Sequence, residues 1–278
     1  GLDLDHTKFP APYQGRPVDD DVLLEFAEDI IAATADVVLA YKPNIAFYEA
    51  YGAAGMVALA RIIRYINDAA PGVPVILDYK RGDIDNTNLG YIRSAFEHLG
   101  ADAVTVSPYL GGEALRPFLD REDKGIIVLC RTSNKGAGEF QDPQVVLTDP
   151  FEISALANLP GAMKYFLSGG ARLPVAPTYQ RIAYRVASHW NKAGNCCLVV
   201  GATYPEELRL VREIAPDMPF LIPGIGAQGG DVEATVRNGR DSNGQGMIIN
   251  SSRGIIYAED QRAEALHLDG LIRQFATA

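Results

Sequence analysis

Short apolar runs alternate with longer amphipathic stretches along almost the whole chain. The runs lie near residue 2 and at 37–40, 73–77, 103–106, 126–130, 198–200, 220–222 and 247–249, and most are rich in Val, Ile and Leu. A strand buried on both faces reads this way. Between them, 19–33, 49–69, 86–99, 112–119, 179–192, 206–214, 231–238 and 263–275 carry apolar residues at helical spacing. Strand then helix, with no hairpin signature, predicts an α/β protein with a parallel sheet. Eight such units predict closure into a (β/α)8 TIM barrel. An open doubly wound sheet would want a glycine-rich dinucleotide fingerprint after its first strand, and none is present. One piece breaks the rhythm. Residues of about 141–179 exceed a usual strand-to-helix loop and read as an insertion into a single domain spanning 1–278, since no linker-like composition flanks them. The insertion covers the loop before it, extends a subunit contact, or merely decorates the surface.

Composition narrows the picture only modestly. A chain of 278 residues, 47% hydrophobic and 22% charged, is long enough to bury a large core. A net charge of -10 without a basic stripe argues against nucleic acid as a partner. No apolar run approaches the length of a membrane span. Cys130, Cys196 and Cys197 form no disulfide framework and read as buried thiols in a reducing, cytoplasmic setting. The chain opens at Gly1, and Gly1-Leu-Asp3 already looks like the end of a strand, so upstream residues are expected to be missing.

In a barrel, chemistry gathers where the strands end. The third run stops in Asp78-Tyr-Lys80-Arg-Gly-Asp83-Ile84. Residues two apart on an extended chain face one side, which puts Asp78 and Lys80 into one space, with Asp83 beyond the turn at Gly82. Two carboxylates and an ammonium crowded there perturb each other's ionisation; the plain alternative is a solvated turn with a surface ion pair. Other strand ends supply Asp3, Lys42, Ser107, the string Arg131-Thr-Ser133-Asn134 and Gly201-Ala-Thr203. The seventh run ends in Pro223-Gly-Ile-Gly-Ala-Gln228-Gly-Gly and the eighth in Asn250-Ser-Ser-Arg253-Gly. Both turns offer backbone N–H groups, and Arg253 adds a fork of donors, at the place where barrels bind phosphate. Read alone, the glycines only permit tight turns, Lys42 is a snorkelling strand-end lysine, and Ser133 caps a helix. Cys196, Cys197 and Trp190 read as packing.

Taken in order over nearly the whole chain, these strings resemble the orotidine 5′-phosphate decarboxylase family, in its longer bacterial-type subgroup. The resemblance rests on Gly1-Leu-Asp3, Lys42-Pro-Asn44, the Asp78–Ile84 string, Arg131-Thr-Ser-Asn134, Val199-Val-Gly-Ala-Thr203 and the two phosphate-type turns. It implies decarboxylation of orotidine 5′-phosphate to UMP in pyrimidine synthesis, by a homodimer using neither metal nor cofactor. By position it implies a charged catalytic network of Lys42, Asp78, Lys80 and Asp83. Asp83, Ile84 and Thr87 would come from the other subunit. Asp3 would bind ribose, Ser133 the pyrimidine edge, and Pro223, Gln228 and Arg253 the phosphate turn.

The residue chemistry is compatible with that implication. Loss of CO2 from the pyrimidine leaves an in-plane carbanion with no adjacent electron sink. No thiamine, pyridoxal or metal motif is evident, and His6, His98, His189 and His267 are scattered without ligand spacing. A preorganised ammonium, Lys80, remains to stabilise the carbanion and protonate it. A carboxylate beside the substrate's own costs about 4 kcal/mol at ~4 Å and an effective dielectric near 20, relieved as CO2 leaves. Three alternatives stay open: a magnesium-dependent phosphosugar decarboxylase on the same barrel, a phosphate-ligand isomerase, and a non-catalytic phospholigand-binding barrel.

Overall fold

In the computed structural model, which describes residues 1–166, 172–226 and 229–277, six of the apolar runs become strands of one kind. These are β1 (Ile76–Arg81), β2 (Ala103–Val106), β3 (Gly125–Arg131), β7 (Cys196–Val200), β8 (Phe220–Pro223) and β9 (Met247–Asn250). Three others, β4 (Gln144–Val146), β5 (Met163–Phe166) and β6 (Arg172–Pro177), lie in the insertion. Contacts divide the chain into two units, Gly1–Ile126 with Asn250–Gln274 and Ile127–Ile249 with Phe275–Ala278.

In the first unit β1 pairs with β2 in parallel, Ile76 opposite Ala103 and Leu77 opposite Val104, and β2 neighbours the start of β3. Five residues of β1, Leu77 to Arg81, lie opposite only three of β2, Val104 to Val106. The excess is a bulge, and Lys80 within it takes a left-handed φ of 48°. The helix Asp20–Thr34 starts at Asp19, whose side chain accepts from the Val22 N–H, and Asp20 and Asp21 follow where a helix favours negative charge. Its buried face, Val22, Phe26, Ile30 and neighbours, packs on Ala58, Leu59, Ile62 and Ile66 of the helix Gly52–Ala69.

Two expected strands do not appear as strands. Residues 37–40 make no ladder, and Leu39 is exposed. The extended path comes later. Tyr41 N donates to Pro74 O, Ile76 N to Tyr41 O, Asp78 N to Pro43 O and Ile45 N to Asp78 O, at 2.8–3.3 Å. Pro43 has no N–H to offer, so this run pairs along β1 only as isolated bridges. The segment near residue 2 is likewise held without a ladder. Leu2 N donates to Lys42 O at 3.0 Å, Gly1 N to Ser251 O at 2.7 Å, and the buried Tyr48 hydroxyl to Leu2 O at 2.9 Å.

In the second unit the strand order is β3–β7–β8–β9, with β7 and β8 parallel. The insertion corrects the expectation of no hairpins: it is a three-stranded antiparallel sheet, ordered β4–β6–β5. Leu147, Leu156 and Ala176 form its apolar cluster, joined by Tyr184 and Ile214. Glu152, fully buried, accepts from Arg181 Nε at 3.1 Å and Arg185 Nη1 at 3.4 Å on the helix Thr178–Arg185. Arg212 gathers this unit from beneath. Its guanidinium donates to the carbonyls of Gly239, Ala215, Pro216, Met218 and Gly246 and lies over the Phe220 ring.

Candidate active site

The charged residues of the first unit converge on Asp78. Its Oδ1 receives Lys80 Nζ at 2.5 Å and the Thr105 hydroxyl at 2.8 Å. Its Oδ2 receives Lys42 Nζ at 3.4 Å and Asn44 Nδ2 at 3.2 Å. Lys42 Nζ also stands 4.0 Å from Asp3 Oδ1. Asp78 and Lys42 are buried, whereas the Lys80 side chain is half exposed. Burial, the largest single influence, pushes the Asp78 carboxyl up; Lys42, Lys80 and the Thr105 hydroxyl together outweigh it and hold the group below the ordinary carboxylate range. Asp3 Oδ1 is buried and accepts no hydrogen bond among the described residues, which leaves an acceptor facing this cluster for a ligand hydroxyl.

Asp78 and Lys80 do meet, but not because they sit two apart on a regular strand. The bulge turns Lys80, and Thr105 of β2 holds the bulge. Its Oγ1 accepts the N–H of Tyr79 and of Lys80, each at 2.9 Å, while donating to Asp78.

Asp83 sits apart from that cluster. Buried Asn88 grips its backbone: Asp83 N donates to Asn88 Oδ1 at 2.9 Å, and Asn88 Nδ2 donates to the carbonyls of Asp83 and Ala114. The Asp83 carboxylate accepts from the N–H of Ile84 at 2.8 Å. Among the described residues it makes no ion pair with Lys80 of the same chain within 4.0 Å. Ile84 and Thr87 are exposed. Arg253 is exposed at the start of the short helix Arg253–Ile256, without an ion pair among the described residues. Its neighbourhood is tied to the first residues: the Tyr257 hydroxyl donates to Asp3 O at 3.1 Å and accepts from Asp5 N at 2.7 Å.

The second unit carries the other two described candidates. Ser133 lies in a loop that is fastened from several sides. Gln141 accepts from Thr132 N at 2.9 Å and donates to Thr132 Oγ1 at 2.8 Å; Thr203 Oγ1 donates to Ser133 O at 3.0 Å. Buried Arg131, at the loop's base, lies 3.9 Å from the Tyr204 ring centroid. Gly201 passes so close that a Cβ there would stand 2.6 Å from Ser133 Cα, so only glycine fits. Pro223 ends β8, and its carbonyl accepts from Ala202 N at 2.9 Å. Gly224, Gly226 and Gly229 follow with positive φ, and Gly230 N returns to Gly224 O at 3.0 Å. Gln228 lies outside the described residues.

Thr105 and Asn88 escaped the sequence reading, and Asn44 entered it only within the Lys42-Pro-Asn44 string, without a role. Thr105 had a signal: it is one polar residue within the apolar run Ala103-Val-Thr-Val106, and a polar group there needs a partner. Asn44 shares a face with Lys42 by spacing alone.

A family model described as Orotidine 5′-phosphate decarboxylase / HUMPS family matches residues 1–161 and 172–268. Orotidine 5′-phosphate decarboxylase of Janthinobacterium sp. (strain Marseille) is 48% identical over 259 residues, 93% of this chain and 83% of the relative. That of Dechloromonas aromatica (strain RCB) is 47% identical over 266 residues, 95% of this chain and 86% of the relative. Among solved structures, Leishmania donovani OMP decarboxylase superposes with a TM-score of 0.76 at 39% identity, covering 96% of this chain and 92% of its own. Leishmania donovani UMP synthase gives 0.77 at 41% over 94% of this chain, which spans 51% of that longer protein. With matches of this extent and identity, the chain belongs to the orotidine 5′-phosphate decarboxylase / HUMPS family.

Proposed function

We propose that this chain decarboxylates orotidine 5′-phosphate to UMP, a step of pyrimidine synthesis, with Lys80 as the group that stabilises and protonates C6. The observation that carries the reading is the Lys42–Asp78–Lys80 array at the end of β1, in a family member whose relatives at 45–48% identity bear this activity in their names. The bond from C6 to the carboxyl group breaks, its electron pair stays on C6, and CO2 departs. The Lys80 ammonium, aligned by Asp78, then transfers a proton to C6 and is reprotonated by water. Lys42 keeps Asp78 ionised. The Asp78 charge repels the substrate carboxylate until CO2 is gone, and the phosphate grip supplies binding energy remote from the reacting carbon.

The remaining roles are part of the same proposal. Asp3 takes a ribose hydroxyl, in line with its buried oxygen that accepts no hydrogen bond among the described residues. Ser133 reads the pyrimidine edge, and Pro223, Gln228 and Arg253 hold the phosphate. Asp83, Ile84 and Thr87 serve the active site of a second copy in a homodimer, which suits a carboxylate free of Lys80 and an exposed Ile84. We place the enzyme in the cytoplasm, acting without metal or cofactor. The chain forms one catalytic domain with an insertion and closes as an eight-stranded barrel, its missing strands supplied by the segments near residues 2 and 41–45. Pairing of Ser251 with Gly1, Leu2 with Lys42 and Tyr41 with Pro74 supports that closure.

Ultraviolet-monitored loss of orotidine 5′-phosphate by purified protein, with excess chelator, is the test. Undiminished turnover is expected. Activity that vanishes with chelator and returns with magnesium would favour the phosphosugar-type alternative instead.

A further inference from the structure

We infer that Thr105 is a positioning residue for the reaction: it sets the place and direction of the Lys80 ammonium by holding the bulge of β1. The inference rests on the role proposed for Lys80 and extends it to a residue that never touches substrate. Three observations carry it. The bulge leaves the N–H groups of Tyr79 and Lys80 without partners on the β2 backbone, and both turn to one hydroxyl, Thr105 Oγ1, at 2.9 Å. The same hydroxyl spends its proton on Asp78 Oδ1 at 2.8 Å, the oxygen that also receives Lys80 Nζ. Two acceptances and one donation exhaust a hydroxyl. Thr105 is buried, so water cannot replace it.

Lys80 needs such a brace. Its φ of 48° is a conformation that non-glycine residues adopt only when the surroundings impose it. Without the hydroxyl, two N–H groups, that of Tyr79 buried and that of Lys80 partly buried, are orphaned, and the economical response is for the bulge to relax toward ordinary β geometry. That rotation swings the Lys80 side chain off Asp78. Substrate contacts elsewhere are untouched, so the defect falls on the chemical step.

The variants are Thr105→Val, which keeps the shape and removes the hydroxyl, and Thr105→Ser, which keeps the hydroxyl. For valine we expect kcat to fall roughly ten- to a hundredfold, with KM and UMP affinity within about twofold. Serine should stay within about threefold of wild-type kcat. Wild-type kcat in the valine chain, or equal slowing by serine, would overturn the inference. Should the valine chain not fold, Thr105→Cys replaces it, since a thiol is a weaker donor and acceptor. A slow cysteine variant beside a fast serine one supports the role, and equal rates overturn it. A crystal structure of the valine or cysteine variant gives a readout independent of turnover: Lys80 should leave the left-handed region and lose its contact with Asp78. An unmoved Lys80 sinks the inference. Absence of turnover in the wild-type chain would instead strike the proposed function, and the crystallographic arm would still decide the positioning.

Discussion

Burial alone would push the Asp78 carboxyl up, and two ammonium groups with a hydroxyl pull it down further than burial lifts it. A carboxyl whose folded value lies below its ordinary 3.8 adds stability in full above that value. The contribution drains away as pH falls below it and through the folded value. Thermal melts taken from neutral pH downward should therefore show a loss in that acid window, which Asp78→Asn flattens; an unaltered acid limb in the variant would contradict the assignment. Lys80 stands differently: it is half exposed, so solvent screens much of its pull on Asp78. Lys80→Ala should lower turnover by about four orders of magnitude or more, with UMP binding and melting temperature close to wild type. Near-normal turnover in a calorimetrically folded variant would remove Lys80 from the chemistry. Much at this scale was legible beforehand. Lys42, Asp78 and Lys80 stood out because charge at the end of an apolar run is costly without a use. Thr105 did not, because a threonine in a strand reads as a β-former until its hydroxyl is seen to bridge two chains of hydrogen bonds.

Among the elements, the antiparallel sheet of the insertion shows how two kinds of attachment compare. Glu152 is fully buried, but its partners Arg181 and Arg185 are 41% and 38% exposed and can return to water once released. Glu152→Gln should therefore cost about 1–2 kcal/mol rather than the larger penalty of a stranded buried pair. Leu156→Ala empties part of the apolar cluster and should cost about 2–5 kcal/mol. Limited proteolysis within 144–177 ought to accelerate in both variants, more for the leucine; the reverse order would make the ion cluster the principal anchor. This sheet was invisible in the sequence for a physical reason. Its central strand β6 contains Pro174 and Pro177, and proline argues against a central strand. Pro174 still offers its carbonyl, which accepts from Leu147 N at 2.9 Å. The parallel strands were easier, because double burial writes an unbroken apolar run. Helices predicted at 112–119 and 86–99 proved less regular. The first is two short pieces, Gly111–Ala114 and Arg116–Leu119, the second of them carrying Pro117, and the other passes into a wider turn over Arg93–His98.

For the whole molecule the decisive question is whether one chain suffices. Asp83 is fixed by Asn88 yet unpaired with its own Lys80, the arrangement wanted by a residue that works in another copy. Mixing Lys80→Ala chains with Asp83→Ala chains distinguishes the cases. If Asp83 acts across a dimer, each mixed dimer holds one complete site, and a 1:1 mixture that exchanges freely recovers about a quarter of wild-type activity. If Asp83 acts within its own chain, no mixed dimer has a complete site and nothing is recovered.

The Arg212 hub carries a separate consequence. Its acceptors are peptide carbonyls, which do not titrate, and a guanidinium keeps its charge throughout the acid range. Protons that disarm the carboxylate centre of the first unit neutralise none of these carbonyl acceptors, and among the described residues only the flanking carboxylates Asp241 and Asp217, which favour the Arg212 charge, can titrate there. Acid should erode the two unevenly, and amide exchange at low pH would find the N–H groups of Phe220 and Arg240, which donate to Gly246 O and Val236 O around the hub, still sheltered after the surroundings of Asp78 have begun to open.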